Sequence, residues 1–137
     1  MLSQRNERSL YKRTCNIPGK EIISMYSPDK EYIVYEQDSR WNNFDAGSIF
    51  QEFDFTKTAF KNFYDLTKKV PKRALIKGTS IENTEYGNGI GGCKDSYLIF
   101  ATSEAQNCYY GQGVNFSKNC VDCLDLMNCE SCYEVVN

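Results

Sequence analysis

Cys120-Val-Asp-Cys123-Leu-Asp-Leu-Met-Asn-Cys129-Glu-Ser-Cys132 is the stretch on which the reading of this chain turns. It carries four of the seven cysteines in a sequence that has no histidine. Two Cys-x2-Cys pairs supply what a tetrahedral thiolate site needs, so Cys120, Cys123, Cys129 and Cys132 are candidate zinc ligands, with an iron–sulfur cluster as the second occupant. The five-residue spacer between the pairs is short for a zinc ribbon, which places a hairpin between its knuckles.

A second pattern competes for the same residues. Ser96, Cys108, Cys120 and Cys132 recur every twelve positions, flanked by Asp95, Asn107, Asn119 and Ser131 on one side and by Tyr97, Tyr109, Val121 and Tyr133 on the other. Cys93 and Cys129 are 36 apart, three such periods. A fixed period across adjacent columns points to stacked units, here a β-solenoid of about twelve residues per coil. Cysteine suits so narrow an interior, being small, polarizable and apolar enough. Asparagine suits its turns, because it tolerates the left-handed conformation. Solenoid packing is favoured over metal binding, and both hold if one side of the stack takes an ion.

The rest of the chain sets the frame. At 137 residues it suits one domain, or a head with a repeat module. Its apolar content of 41% and aromatic content of 14% fit a globular chain. No apolar run approaches the roughly 20 residues of a membrane span, and the first residues lack the core of a signal peptide. The expectation is a cytoplasmic protein, with its cysteines as thiols or ligands and not a disulfide framework. Residues 1–90 carry a net +2 and residues 91–137 a net −4. The acidic tail would repel a phosphate backbone.

Lys20–Tyr26 and Glu31–Glu36 are β-branched and aromatic runs around a Pro28-Asp29 turn, which predicts a β-hairpin. Cys15-Asn-Ile-Pro18-Gly19 has the shape of a zinc knuckle with proline where the second cysteine belongs, so Cys15 reads as a small core residue. The aromatics of residues 37–55 (Trp41, Phe44, Phe50, Phe53, Phe55) read as anchors for a long loop. Lys57 to about Lys69 predicts a helix, capped by Thr56 or Asp54 and stopped at Pro71. Its stripe of Ala59, Phe63, Leu66 and Val70, widened by Phe60, should be core. Gly87-Asn-Gly-Ile-Gly-Gly92 lacks the context of a phosphate loop and reads as a flexible junction.

Arg5-Asn-Glu-Arg-Ser-Leu-Tyr-Lys-Arg-Thr-Cys15, Gly19–Lys30, Val34–Asp38, Phe53-Asp-Phe55, Val70-Pro71, Asn83-Thr-Glu-Tyr86, Asn107-Cys-Tyr109, Lys118–Cys123 and Asn128–Glu134 together resemble a set of uncharacterised bacterial cysteine-rich repeat proteins. The resemblance implies a zinc-ribbon-like head and a cysteine-rich β-solenoid tail, with this chain shorter at both ends: it starts after the family's upstream cysteine pairs and stops within the fourth coil. It implies architecture and no mechanism.

The expected fold is therefore α+β, an N-terminal β-hairpin packed on one amphipathic helix and followed by a short β-solenoid. Its parts are a head over 1–86 with a degenerate knuckle, a junction over 87–92 and the solenoid over 93–137. The expected function is a non-catalytic structural or interaction module, with zinc as the one cofactor in view. Without histidine, acid–base work would fall to carboxylates, Tyr, Lys or Cys, and no paired set stands out. The expected partner is a second copy or another protein, reached through the C-terminal edge of the solenoid, and no membrane. The alternative is a zinc-dependent nucleic-acid binder using Arg5, Arg8, Lys12 and Arg13.

Overall fold

The computed structural model describes residues 8–16, 19–36, 46–122 and 132–133. The chain divides into two compact units, one spanning Tyr11–Ala74 and the other built on the chain from Leu75 onward.

In the first unit, β1 (Tyr11–Thr14) pairs antiparallel with β2 (Glu21–Ser24), from Tyr11 opposite Ser24 to Thr14 opposite Glu21. A parallel pair follows, β3 (Val34–Tyr35) on β4 (Lys72–Arg73). Cys15, Ile22, Val34 and Ala74 form the core, with Tyr26, Tyr32 and Tyr35 packed on it. The predicted hairpin does not form, because its two runs each pair elsewhere. The turn itself is present, closed by Lys30 N–H donating to Ser27 O at 3.2 Å. The carbonyls of Ser27 and Tyr32 go instead to the Arg13 guanidinium, at 3.3 and 3.0 Å, and the Met25 N–H goes to Ala74 O at 2.9 Å. The backbone groups a hairpin would use are already satisfied.

Helix α1 runs Ala59–Lys69. Thr58 is its N-cap and accepts from the Lys61 N–H, while Lys68 and Lys69 sit at the negative end of the dipole. Asp54 is used earlier, folding back on Thr56 N and Oγ1 at 2.9 and 2.6 Å. The helix's apolar stripe is not core. Phe60 is 88% exposed and Phe63 67%, and the one buried residue of the helix is Asn62.

In the second unit every parallel pair from Glu82 on joins residues twelve apart. β5 (Glu82–Glu85) pairs with β7 (Lys94–Tyr97), and β6 (Asn88–Gly91) with β8 (Phe100–Ser103). Beyond Ser103 the register continues as single bridges, ending with Val121 opposite Tyr133. Residues 87–92 thus carry β6. The expected arrangement of hairpin, helix and closed β-solenoid is corrected here: the described residues form one helix and short strands in small two-stranded sheets, with no closed solenoid.

The backbone explains why the strands stay short. From Ser80 to Asp122 every third residue has a left-handed φ, among them Tyr86 at 51°, Leu98 at 52°, Ala101 at 48° and Phe116 at 55°. Extended segments are therefore interrupted before a strand can lengthen. Corners along this stretch are held by the neighbouring segment: Leu98 N–H donates to Glu85 O, Tyr110 to Tyr97 O and Phe116 to Ser103 O, at 3.0 to 3.2 Å.

The interior side chains also fall every third residue. Ile90, Cys93, Ile99, Ala105, Cys108, Val114 and Cys120 make one buried cluster. Each twelve-residue rung holds one large residue, and glycine makes room for two of them. A Cβ on Gly87 would lie 2.5 Å from Ile90 Cδ1, and one on Gly111 2.7 Å from Val114 Cγ2.

Candidate functional site

The cysteines of the second unit follow a simple local rule. Cys93, Cys108 and Cys120 are fully buried, and each Sγ–H donates to the carbonyl two residues back, Gly91, Gln106 and Lys118, at 3.3 Å. Hydroxyls at equivalent positions do the same at normal oxygen distances. Thr84 donates to Glu82 O, Ser96 to Lys94 O, Thr102 to Phe100 O and Ser117 to Asn115 O, at 2.8 to 3.0 Å. The geometry selects a short side chain with one proton to give, which Ser, Thr and Cys all offer. The rungs also meet through these groups, since Cys108 N–H donates to Ser96 Oγ at 3.1 Å.

Of the candidate zinc ligands, Cys120 and Cys132 pack on the same apolar cluster, Cys120 buried and Cys132 half-buried. Cys123 and Cys129 lie outside the described residues. Among the described residues no group of three or more Cys, Asp or Glu side chains is brought together to hold a metal ion. Of the candidate basic arm, Arg5 lies outside the described residues, Arg8 and Lys12 are exposed, and Arg13 is turned onto its own backbone at Ser27 and Tyr32.

The outer surface of this unit carries an ordered aromatic edge. Tyr86 and Tyr97 meet edge to face with centroids 5.5 Å apart, and Tyr97 and Tyr110 at 5.9 Å. Tyr109 lies in register with Tyr97 below and Val121 above. Beside them the left-handed corners form a polar column, with Asn83 Nδ2 donating to Asp95 Oδ1 at 2.7 Å and Asn107 Nδ2 to Asn119 Oδ1 at 3.0 Å. Asn83, Glu85, Asp95, Tyr97 and Tyr109 line a shallow cleft of about 440 Å³. Nearby, Lys94 bonds Glu82 at 3.0 Å, which holds the ammonium pKa above its ordinary value. The column of tyrosines was visible in the sequence at period twelve. Tyr86 and Tyr110 were not, because they fall one place along, on the left-handed corners.

The first unit offers different chemistry. Tyr26 and Tyr32 meet edge to face at 5.6 Å, and Lys72 Nζ lies over both rings, 5.9 and 4.9 Å from their centroids. Burial pushes the Lys72 pKa down and, with the neighbouring Tyr32, pushes the Tyr26 hydroxyl up. Cys15 is a core residue whose Sγ accepts the Glu36 N–H at 3.5 Å.

Among the described residues no helix is long and apolar enough to cross a membrane. No protein-family model matches the chain, and neither a curated protein nor a solved structure matches it.

Proposed function

We propose that this chain is a non-catalytic interaction module, and that its working surface is the tyrosine edge of the unit built from Leu75 onward. One observation carries the reading. Tyr86, Tyr97 and Tyr110 are locked edge to face against one another while Tyr86, Tyr109 and Tyr110 stay exposed at 40 to 56%. Tyrosine is enriched in protein interfaces because it offers a large amphipathic area with few rotatable bonds. Rings already held in place lose little entropy when a partner covers them.

The thiols support the same reading. Cys93, Cys108 and Cys120 are buried with Sγ 3.3 Å from the carbonyl two residues back, as the neighbouring hydroxyls are placed. They fill the interior beneath the edge.

The test places a photo-cross-linking phenylalanine analogue at Tyr110, with a control at exposed Lys118, in the host that makes the protein. A discrete protein adduct at position 110, absent at 118 and lost on Tyr97→Ala, is the expected result. Equal or absent adducts at both positions would sink the proposal. Retention on DNA or RNA that falls steeply with salt would favour the nucleic-acid reading instead.

A further inference from the structure

The cleft beside the tyrosine edge carries a charge of its own. Asn83, Glu85, Asp95, Ser96, Tyr97 and Tyr109 line about 440 Å³, with no lysine or arginine among them. The register explains how they meet. Glu85, Tyr97 and Tyr109 lie opposite one another on three successive rungs, and Asp95 sits at the left-handed corner two residues before Tyr97. Neither carboxylate is neutralised by a neighbouring cation among the described residues. The side-chain bond of Asp95 comes from the neutral Asn83 amide, at 2.7 Å on Oδ1, and leaves Oδ2 unused. Glu85 is exposed and its side chain enters no ion pair. Lys94, the residue before Asp95, is turned to Glu82 at 3.0 Å.

The rings complete the site. Tyr97 is held edge to face by Tyr86 and Tyr110, at 5.5 and 5.9 Å. Tyr109 stacks on no other ring among the described residues and is 40% exposed, which leaves an aromatic face open to the cleft. Two carboxylates beside an open tyrosine ring select a cation. A divalent ion wants a shell of converging oxygens. Here Glu85 and Asp95 belong to different rungs, one Asp95 oxygen is already taken, and no third ligand joins them among the described residues.

An arginine side chain suits this set better. Its guanidinium is planar and weakly hydrated, stacks on an aromatic face, and in the same pose offers its edge N–H groups to carboxylates. A lysine brings a compact, strongly hydrated charge and gains less from the ring. The edge continues past the cleft through Tyr110 and Val121, so a chain that carries the arginine has further surface to lie on. Residues 91–137 hold a net −4, a field that draws in a basic segment and repels an acidic one.

We infer that the cleft of Glu85, Asp95, Tyr97 and Tyr109 receives an arginine side chain from a basic segment of a protein partner. The inference rests on the tyrosine edge being an interface and names what that interface recognises. Fluorescence anisotropy with the full chain at low salt tests it, the probe being a labelled dodecapeptide of three Gly-Arg-Gly-Ser units. Saturable binding below about 200 µM is expected, and the same peptide with lysine for arginine should bind at least threefold more weakly. Glu85→Gln with Asp95→Asn should weaken the arginine peptide at least tenfold. Asn107 and Asn119 already occupy the Asp95 position on later rungs, so that corner accepts the change. Glu52→Gln with Glu104→Gln removes the same charge elsewhere and should shift the affinity less than twofold. No binding at 200 µM overturns the inference, as does a lysine peptide that binds equally well. Equal losses in the two double variants assign the binding to net charge and overturn it too. The cross-link at position 110 separates this inference from the reading it rests on. An adduct that persists in Glu85→Gln with Asp95→Asn overturns the arginine cleft and leaves the edge an interface, whereas an adduct lost with that pair supports both.

Discussion

Gly111 occupies an interior position, and its φ is outside the left-handed region, so alanine fits its backbone. If backbone entropy alone mattered, Gly111→Ala would stabilise the protein by about 0.4–1 kcal/mol. Packing predicts the opposite sign. The new methyl would sit 2.7 Å from Val114 Cγ2, with Ile99 Cγ2 at 3.8 Å behind it. Carbon atoms rest at about 3.5–4.0 Å, so one group must move by nearly 1 Å in a rung with no spare volume. Overpacking of this kind costs about 1–3 kcal/mol, which outweighs the entropic gain. Val114→Ala alone empties part of the rung and should cost about 2 kcal/mol. The double variant puts the lost methyl back on the facing residue. It should therefore be no worse than Val114→Ala, a favourable coupling of about 2 kcal/mol. Urea unfolding followed by circular dichroism measures all four corners of the cycle. Additivity within about 0.5 kcal/mol would refute the claim that each rung holds one large side chain and a matching gap.

Cys108→Ser keeps a proton donor aimed at Gln106 O, as Ser96 already does for Lys94 O, and should cost under about 1 kcal/mol in the same unfolding assay, against about 1–3 for Cys108→Ala. Asn62→Ala removes the amide that pins residues 54–58, and should lose about 2–3 kcal/mol with faster proteolysis at Phe53 and Phe55, read by mass spectrometry. Asp54 and Asp65 are held below their ordinary pKa of 3.8, Asp54 chiefly by hydrogen bonds from Thr56 and Asp65 by the one from Lys61. A carboxyl depressed on folding stabilises above its unfolded pKa and loses that contribution as pH falls through the folded value. The thermal midpoint should therefore drop as pH falls below about 4, and drop less in Asp54→Asn.

The Ser96–Cys108–Cys120 column could be read from the sequence because its positions demand a small residue with one proton, and few residue types satisfy that. The asparagine column was legible in part: Asp95, Asn107 and Asn119 sit at left-handed corners, Asn83 extends the column by one more place, and Ser131 lies outside the described residues. The corners at Tyr86, Leu98, Ala101 and Phe116 were not, since nothing local marks a bulky residue for that conformation. Only the rungs above and below hold it there. The helix was placed to within two residues and its stop at Pro71 was read correctly, but its cap was not: Thr58, and neither Thr56 nor Asp54, accepts the Lys61 N–H. The burial of its face was misjudged, since periodicity shows that a stripe exists and not that anything covers it. The hairpin failed for a non-local reason, an arginine fourteen residues from Ser27 taking the carbonyls that a partner strand would use.

The left-handed corners have a consequence for handedness itself. An L-residue there adopts the conformation its mirror image would prefer, at a cost of about 1–3 kcal/mol. Leu98, Ala101 and Phe116 have no glycine-like or asparagine-like excuse for it. Over this part of the chain, side-chain chirality works against the backbone path, and the path wins because stacking sets it. The shape of this unit is thus a property of its ladder more than of its residues' local preferences.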